Sequence, residues 1–428
     1  MAIPKGAKVF NVIRDNSSEV FVNTVPSATA TNINTLSNIL FNDAYQPMLN
    51  EFVNNLINRI ALTIVRNKSY DNPLAIFKKG SVPLGTDIQD IYENPANAEQ
   101  YEYSNTAMAK LLTITDPDTH VAYYRRNRQD LYTKTISREG LQGAFTSWEN
   151  FESYISGITT SLYSGNYIDE FKYTKAIIDG AYNNDKVIVE MVAQPVDNAT
   201  SKSFVKKVRS LFNKLSFPST EYNAYSKFSG AKGTVTTWTD KERMVLILTA
   251  DALAEVEVET LAQAFNLSYA DMQARIVVVD KFENDEIIGV LCDESWLQIY
   301  DNLFRFDEFY NARTMSWNEY LHAWGTFAIC PFANAVVLAT EKPIPAENIS
   351  LPDTTSANVG TDMTVTLTIT PENATSDVTF SSSDETVFIV SKVSNTEVTV
   401  TPLAEGTGTL TAVTENGKEA TSEVTVSE

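Results

Sequence analysis

Residues 144–162 read AFTSWENFESYISGITTSL, and their apolar side chains recur at every third or fourth position. The recurring residues are Phe145, Trp148, Phe151, Ile155, Ile158 and Leu162. This spacing places them on one face of an α-helix, where they form a candidate core. A second helical pattern runs from Ile168 to Tyr182, so the sequence predicts one long helix with an interruption near Ser164-Gly165-Asn166.

The rest of residues 1–340 mixes helical and strand patterns. Ser203 to Leu215 predicts another helix, with apolar residues on one face and basic residues on the other. Strand patterns occur at Leu62–Arg66, Met244–Leu248 and Ile276–Val279. Because these patterns do not alternate in a regular βαβ order, the fold class predicted for this part of the chain is α+β.

The composition changes near residue 341. Segment 341–428 has no Trp, Tyr, His or Cys, and its fourteen acidic residues and three lysines carry −11 of the formal net charge of −21. Runs with β-branched residues at alternate positions recur at Met363–Thr370, Val378–Ser381, Val387–Val390, Glu397–Thr401, Gly408–Val413 and Ala420–Val426. Such runs predict strands, and Asn416-Gly417 predicts a tight hairpin turn. We therefore predict a small all-β sandwich at 349–428, joined by the proline-containing linker Ala339–Ile349.

Composition excludes several classes of protein. The length of 428 residues predicts two or three domains, and the charge of −21 argues against a surface that binds nucleic acid throughout. Two Cys, Cys292 and Cys330, rule out a disulfide scaffold, and we interpret both as small buried apolar residues. The N-terminal residues lack the apolar run of a signal peptide. The apolar stretch Ala323–Ala339 contains Pro331 and Asn334, so it predicts a buried strand and not a membrane span.

Catalytic motifs are absent from the sequence. There is no G-x-x-x-x-G-K-[ST], H-E-x-x-H or G-x-S-x-G. Asp116, Asp118 and His120, in TDPDTH, could reach one cation, but Asp-Pro-Asp is typical of a turn. His322 lies in an aromatic stretch and is interpreted as a packed core histidine. The sequence therefore predicts no enzyme, no cofactor and no metal.

Two clusters of basic residues are candidate contact sites. They consist of Arg125, Arg126 and Arg128 in YYRRNRQDLY, and of Lys206, Lys207, Arg209 and Lys214 on the predicted helix Ser203–Leu215. One interpretation is a solvated face, or salt bridges to an acidic neighbour. The others are contact with packed nucleic acid and charge pairing between subunits. The sequence leaves these alternatives open.

The segment Arg59–Asn94 combines two strand-like runs with basic and apolar side chains. Its candidate contact residues are Arg59, Arg66, Phe77, Lys78 and Lys79. An extended two-stranded loop contributes little to the stability of its own monomer. We therefore predict that this loop lies across a neighbouring molecule, with an ordinary surface hairpin as the alternative.

The segment Arg59–Asn94 also resembles the major capsid proteins of short-tailed phages of the phi 29 group. Further blocks of resemblance follow in order over most of residues 20–340, at Arg126–Gln129, Ala144–Ile155, Phe204–Lys207, Asp251–Asn266, Ile299–Leu303 and Phe332–Val336. The Thr-rich tail is similar to the bacterial immunoglobulin-like domains of group 2 that end such proteins.

This resemblance implies the Hong Kong 97-type capsid fold followed by an all-β immunoglobulin-like sandwich. It implies an N-terminal arm at 1–58, an extended loop at 59–120, a spine helix and peripheral domain at 121–188, an axial domain at 189–318, a return to the peripheral domain at 319–342 and the immunoglobulin-like domain at 349–428.

The function implied is that of a major capsid protein. Copies of the chain would assemble through hexamers and pentamers into the icosahedral or elongated shell around the double-stranded DNA of a tailed phage. The implied partners are other copies of the chain, a scaffolding protein, a portal and weakly contacted DNA, with no membrane, and assembly would take place in the bacterial cytoplasm. The alternatives are a cell-surface adhesion protein that displays an immunoglobulin-like module, and an enzyme with a site near Asp118.

Overall fold

The computed structural model describes residues 3–60, 70–98, 114, 116–228, 231–256 and 275–427. The α-helices there are α1 (Lys5–Asp15), α2 (Glu19–Thr24), α3 (Ile33–Leu40), α4 (Gln46–Ile60), α5 (Arg138–Ala144), α6 (Trp148–Asn183), α7 (Asn198–Lys214) and α8 (Ala250–Glu255). Short 3₁₀ helices lie at Asp43–Tyr45, Pro73–Phe77, Tyr225–Lys227 and Lys241–Arg243. None of the described helices is both long and apolar enough to cross a bilayer.

The strands form several separate sheets. They are β1 (Lys78–Ser81), β2 (Ile88–Glu93), β3 (Thr119–Tyr124), β4 (Arg128–Ser137), β5 (Ile188–Met191), β6 (Met244–Thr249), β7 (Ile276–Val279), β8 (Ile287–Asp293), β9 (Leu297–Asn311), β10 (Ser316–Ile329), β11 (Ala335–Ala339), β12 (Asn348–Ser350), β13 (Thr354–Asn358), β14 (Met363–Thr366), β15 (Thr368–Thr370), β16 (Val378–Ser382), β17 (Phe388–Lys392), β18 (Glu397–Pro402), β19 (Gly406–Thr414) and β20 (Glu419–Ser427). One sheet has the order β1-β9-β10-β4, a second the order β5-β11-β8-β6-β7, and β2 pairs with β3.

The chain divides into two compact units, and each draws on distant parts of the sequence. The first comprises Met1–Ile88, Tyr123–Thr174 and Gln298–Phe327. The second comprises Gln89–Ala122, Lys175–Leu297 and Ala328–Glu428. Neither unit is one continuous stretch of chain, so neither corresponds to a single sequence domain.

An aromatic cluster forms the core of the first unit. Phe145, Trp148, Phe151 and Ile155, the predicted spine-helix residues, are all buried in it. The ring centroid of Phe145 lies 4.8 Å from that of Phe151 and 5.8 Å from that of Phe52 in α4. Burial of large aromatic rings makes this cluster a main source of the unit's stability.

The N-terminal residues belong to this same core. The resemblance implied an arm at 1–58, but the described part of this segment folds as α1 to α4 and buries Phe10 and Phe21 completely. The indole Nε1 of Trp317 on β10 donates a hydrogen bond to Oδ1 of Asn50 in α4 at 3.0 Å. Because the helices present apolar faces to the sheet, they pack on the core and do not extend away as an arm.

The long helix α6 differs from its prediction at two points. It begins at Trp148, because Phe145 ends the separate helix α5, and it continues through Ser164-Gly165-Asn166 without a break. A glycine costs an isolated helix about 1 kcal/mol, which tertiary packing readily offsets. Here the Gly165 backbone lies against the ring of Tyr132, and Oδ1 of Asn166 accepts a hydrogen bond from Arg128 at 2.9 Å.

The second unit is built on the five-stranded sheet. The predicted strands Met244–Leu248 and Ile276–Val279 are its β6 and β7, which run parallel. Strand β11, Ala335–Ala339, is buried along its whole length between β5 and β8. This agrees with the prediction of a buried strand within Ala323–Ala339. Helix α7 packs its apolar face on this sheet through Phe204, Val208, Leu211 and Phe212.

Residues 348–427 form the predicted all-β region. Its sheets have the orders β12-β15, β13-β20-β19-β16 and β14-β18-β17, around a core that includes Phe388, Val398 and Leu410. Gly417 has φ +82° in the β19–β20 turn, as an Asn-Gly hairpin requires. The run Met363–Thr370 is two strands and not one, because the chain passes from one sheet to another at buried Leu367.

Candidate functional site

The predicted contact loop is anchored at its base. Phe77 is fully buried, and Nζ of Lys78 lies 3.0 Å from Oε2 of Glu170 in α6 and 2.9 Å from Oδ2 of Asp301 in β9. Burial alone would lower the pKa of Lys78, but the two carboxylates outweigh it and raise that pKa above its usual value. These contacts correct the assignment of Phe77 and Lys78 to a surface that lies across a neighbour, because both hold the loop to its own subunit.

The other members of that predicted set are placed differently. Lys79 is exposed at the start of the loop. Arg66 and the side chain of Arg59 lie outside the described residues. Of the five predicted residues, Lys79 is therefore the one whose described side chain faces outward.

The hairpin formed by β2 and β3 carries exposed apolar side chains. Ile91 on β2 is 59% exposed, and Val121 and Tyr123 on β3 are 42% and 63% exposed. Leu84, in the loop before β2, is 47% exposed. Sequence reasoning did not single these residues out, although the alternation of exposed and half-buried positions along β2 is the pattern of a strand with one open face. Neighbouring exposed apolar side chains are typical of a protein–protein contact.

The acidic residues of the TDPDTH segment form no metal site in the described chain. His120 is buried, with Nδ1 3.0 Å from the hydroxyl of Tyr225. Its Nε2 lies 3.2 Å from the amide nitrogen of Asn94 and 3.3 Å from Oδ1 of Asp118. Both ring nitrogens therefore have protein partners. Among the described residues, no group of three His, Cys, Asp or Glu side chains is placed to hold a metal ion.

Arg128 belongs to a buried network and not to a surface patch. It is 5% exposed. Its Nε donates to Asp130 at 2.6 Å and its Nη2 to the hydroxyl of Tyr132 at 2.9 Å. The guanidinium lies 5.1 Å from the ring centroid of Tyr173. Arg128 was predicted as part of a lumenal or inter-subunit basic patch, and this burial removes it from that patch.

The two neighbouring arginines remain at the surface. Nε of Arg125 donates to Oδ2 of Asp87 at 2.9 Å, in a pair where both side chains are well exposed. The guanidinium of Arg126 lies 4.8 Å from the centroid of the Trp324 ring. An exposed ion pair of this kind contributes little to stability, so both arginines keep charge available for another molecule.

Helix α7 presents the second basic cluster. Its N-terminus is fixed by a capping box, in which Oδ1 of Asp197 accepts from the backbone N–H of Thr200 at 2.7 Å. Lys206 and Arg209 are exposed on the face opposite the core. Lys207 forms an ion pair with Glu190 on β5. The cluster therefore keeps two exposed cations in a strongly acidic chain.

The immunoglobulin-like region is fixed to the end of α6 by polar contacts within the second unit. Oγ1 of Thr375 donates to the carbonyl oxygen of Asn183 at 2.8 Å, and the backbone N–H of Asp377 donates to Oδ1 of Asn184 at 2.9 Å. Lys186 and Glu415 form an ion pair. The predicted linker thus joins two parts that also touch directly. These contacts join residues 192 to 229 positions apart, and no sequence signal pointed to them.

Comparison with known proteins identifies the family. A model of the Phi29-like phage major capsid protein matches residues 10–339, and one of the bacterial Ig-like domain (group 2) matches residues 345–425. The major capsid protein of Bacillus phage PZA is 34% identical over 344 residues, which are 79% of this chain and 74% of that protein. The major capsid protein of Streptococcus phage Cp-1 is 27% identical over 336 residues, 73% of this chain and 88% of that one.

Solved structures agree with the family on the fold. The chain is similar to the capsid structure of Staphylococcus phage Andhra, with a TM-score of 0.53 and 13% identity over 65% of this chain and 87% of that chain. The fold is the Hong Kong 97-type phage capsid fold, followed by an immunoglobulin-like domain, as the resemblance implied. With the family match spanning most of the sequence and the fold in agreement, the chain belongs to the Phi29-like phage major capsid proteins.

Proposed function

We propose that this major capsid protein assembles through hexamers and pentamers into the closed shell, icosahedral or elongated, that encloses the double-stranded DNA of a tailed phage. The family match over residues 10–339 is the observation that carries this proposal. A shell sums many weak contacts per subunit, so no single contact has to be strong. The chain would assemble in the bacterial cytoplasm with a scaffolding protein and a portal.

The exposed hairpin β2–β3 is the contact element that we assign to a neighbouring copy. Its support is the set of exposed apolar side chains Ile91, Val121 and Tyr123. In this proposal 59–120 remains the extended loop, and the axial domain predicted at 189–318 is limited to its part in the second unit, which ends at Leu297.

The exposed cations of the two basic clusters have the second role in assembly. Lys206 and Arg209 on α7 and Arg125 and Arg126 before β4 would make modest contacts with DNA or with an acidic surface of another subunit. A small number of phosphate contacts suits a lumen that must release its genome, because affinity for DNA rises steeply with the number of cations.

The immunoglobulin-like domain lies on the outside of the shell in this proposal. The −11 charge of segment 341–428, which includes this domain, would repel packaged DNA. Limited proteolysis of intact particles tests this placement, and cleavage within 341–428 that leaves the shell closed is the expected result. A domain protected in intact particles and cleaved only after disruption would place it inside.

Sedimentation separates the assembly proposal from the adhesion alternative. Purified full-length chain at increasing concentration should shift from monomer to capsomers or larger particles. An adhesion protein of this mass would stay a monomer or small oligomer at every concentration, with and without a scaffolding protein.

A further inference from the structure

Two glutamates occupy the apolar side of the hairpin formed by β9 and β10. On β9, Phe306 and Tyr310 pack against the helical core of the first unit, and Glu308 stands midway between them. On β10, Trp317 and Leu321 are buried in that core, and Glu319 stands midway between them. Because side chains alternate along a strand, both carboxyl groups point to the same apolar side.

Neither carboxyl group is fully satisfied there. Glu319 is 1% exposed, and Oε1 of Glu319 and Oε2 of Glu308 are buried without a hydrogen-bond partner. In the described part of the chain, no Lys, Arg or His nitrogen lies within 4 Å of either group. Lys134 stands opposite Glu319 in the β4–β10 ladder, but it remains exposed and makes no ion pair with it.

Three other charged groups on the helices around this core have partners of their own. Arg138 in α5 donates to the carbonyl oxygen of Phe41 at 2.9 Å. Arg14 in α1 donates to the carbonyl oxygens of Val22 and Val25. Glu51 in α4 accepts from the hydroxyl of Ser18 at 2.9 Å. Lys5 and Lys8 in α1 are exposed, and among the described side chains of these helices no Lys or Arg forms an ion pair with either glutamate.

The phenols on the same side stay neutral over the physiological range. Tyr154 and Tyr163 in α6 belong to this part of the unit, and burial raises the pKa of both, that of Tyr163 to about 12. The glutamates are thus the groups on this face that can change charge near neutral pH.

Burial is the main cause of the raised pKa values of the two glutamates. It raises the pKa of Glu308 to about 7 and that of Glu319 to about 8, and the negative charge of Glu308 adds to the second shift. Two interacting acids lose their protons in two steps that belong to the pair. The charge of the carboxylate that forms first then holds the proton on the other.

We propose that Glu308 and Glu319 form a proton-retaining pair that keeps the β9–β10 hairpin packed on the helical core at neutral pH and loosens this packing in alkali. An unfolded glutamate ionises near 4.5, so the folded chain binds more protons than the unfolded chain above that pH. Stability therefore falls as pH rises from about 4.5 to about 8. For each proton that the folded chain retains, the unfolding equilibrium constant rises by up to about tenfold per pH unit.

A difference titration of the folded full-length chain tests the pair directly. Wild type should release about two more protons per chain between pH 6 and pH 9 than the variant Glu308→Gln/Glu319→Gln, and each single variant should lose about one of them. Glu152→Gln, on the half-exposed part of α6, is the control for a glutamate-to-glutamine change within the same unit. Equal proton release by wild type and the double variant between pH 6 and pH 9 would overturn the proposal.

Urea unfolding gives the second measurement. The wild-type midpoint should fall between pH 5 and pH 9, and Glu319→Gln should flatten that fall and unfold at higher urea than wild type at pH 9. The same pH dependence in both proteins would also overturn the proposal. Circular dichroism at pH 7 establishes that each variant is folded before titration.

Discussion

The hydroxyl of Thr375, in the immunoglobulin-like domain, donates a hydrogen bond to the carbonyl oxygen of Asn183, the last residue of α6, at 2.8 Å. A carbonyl at a helix C-terminus has no partner within its own helix, so Thr375 satisfies a group that would otherwise need water. The domain thus caps the longest helix of the capsid fold, and its orientation on the second unit is set by contact as well as by the linker.

Asn184→Ala should loosen this docking. The substitution removes the acceptor of the Asp377 N–H and should cost about 1 kcal/mol of docking free energy, as the loss of one partly buried hydrogen bond does. Trypsin cleavage at Lys342, in the linker, should become several-fold faster. Ser391→Ala, at an exposed position on β17 of the same domain, is the control. Equal cleavage rates in all three proteins would show that the contacts do not hold the domain.

Lys78→Met should destabilise the first unit. Glu170 is 3% exposed, so removal of the ammonium leaves a buried carboxylate with one cation fewer, at a cost of about 3 kcal/mol. Urea unfolding should show the lowered midpoint. Lys79→Met, one residue further and exposed, should change it by less than about 0.5 kcal/mol. Similar midpoints for the two variants would remove Lys78 from its anchoring role.

Arg128→Lys should also destabilise the chain, although it conserves charge. A lysine cannot reproduce the planar contacts to Asp130, Tyr132 and Asn166 at once, and the expected cost is about 2 kcal/mol. Arg125→Lys, at an exposed pair with Asp87, should be neutral in the same thermal melt. A neutral Arg128→Lys would contradict the buried network.

Ile91→Ser/Tyr123→Ser should impair assembly and leave the monomer folded. Both side chains are more than half exposed, so their loss removes little buried surface from the isolated chain. Particle yield in a sucrose gradient should fall at least tenfold while the thermal melt of the monomer stays unchanged. Ile389→Ser, an exposed apolar residue of the immunoglobulin-like domain, should assemble as wild type. Normal yield from the hairpin variant would remove this hairpin from the subunit contact.

Lys206→Glu/Arg209→Glu should lower the yield of DNA-filled particles. The double change reverses two exposed cations on α7 and spares Lys207, whose charge is paired with Glu190. Lys418→Glu, in the immunoglobulin-like domain, is the control, because it makes the same kind of charge reversal at a residue outside α7. The ratio of filled to empty particles and the total particle yield give the readout. If both remain at wild-type values, α7 does not contact DNA or another subunit through these cations.

Local periodicity is what made much of the fold predictable. The apolar residues at helical spacing from Phe145 onward and the alternating runs of the tail each indicate one buried face. Such spacing can be recognised in a short stretch of sequence. The continuity of α6 through Gly165 was not predictable in this way, because Tyr132 and Arg128, which pack there, come from strand β4. Tertiary contacts outweighed the local helix-breaking signal.

The candidate site residues show the same contrast between local sequence patterns and tertiary contacts. Arg126 is exposed, while Arg128, two positions further along the chain, is buried. Its partner Asn166 is 38 residues away, so composition could not reveal the network. Glu308 and Glu319 did carry a sequence signal, since each replaces an apolar residue in a period-two aromatic pattern, and a search for acids at such positions would find them.

The most direct test of shell formation is negative-stain electron microscopy of the full-length chain, expressed alone and together with a scaffolding protein. Closed shells, tubes, or hexameric and pentameric capsomers are the predicted result. A protein that remains monomeric under both conditions would contradict the assembly account.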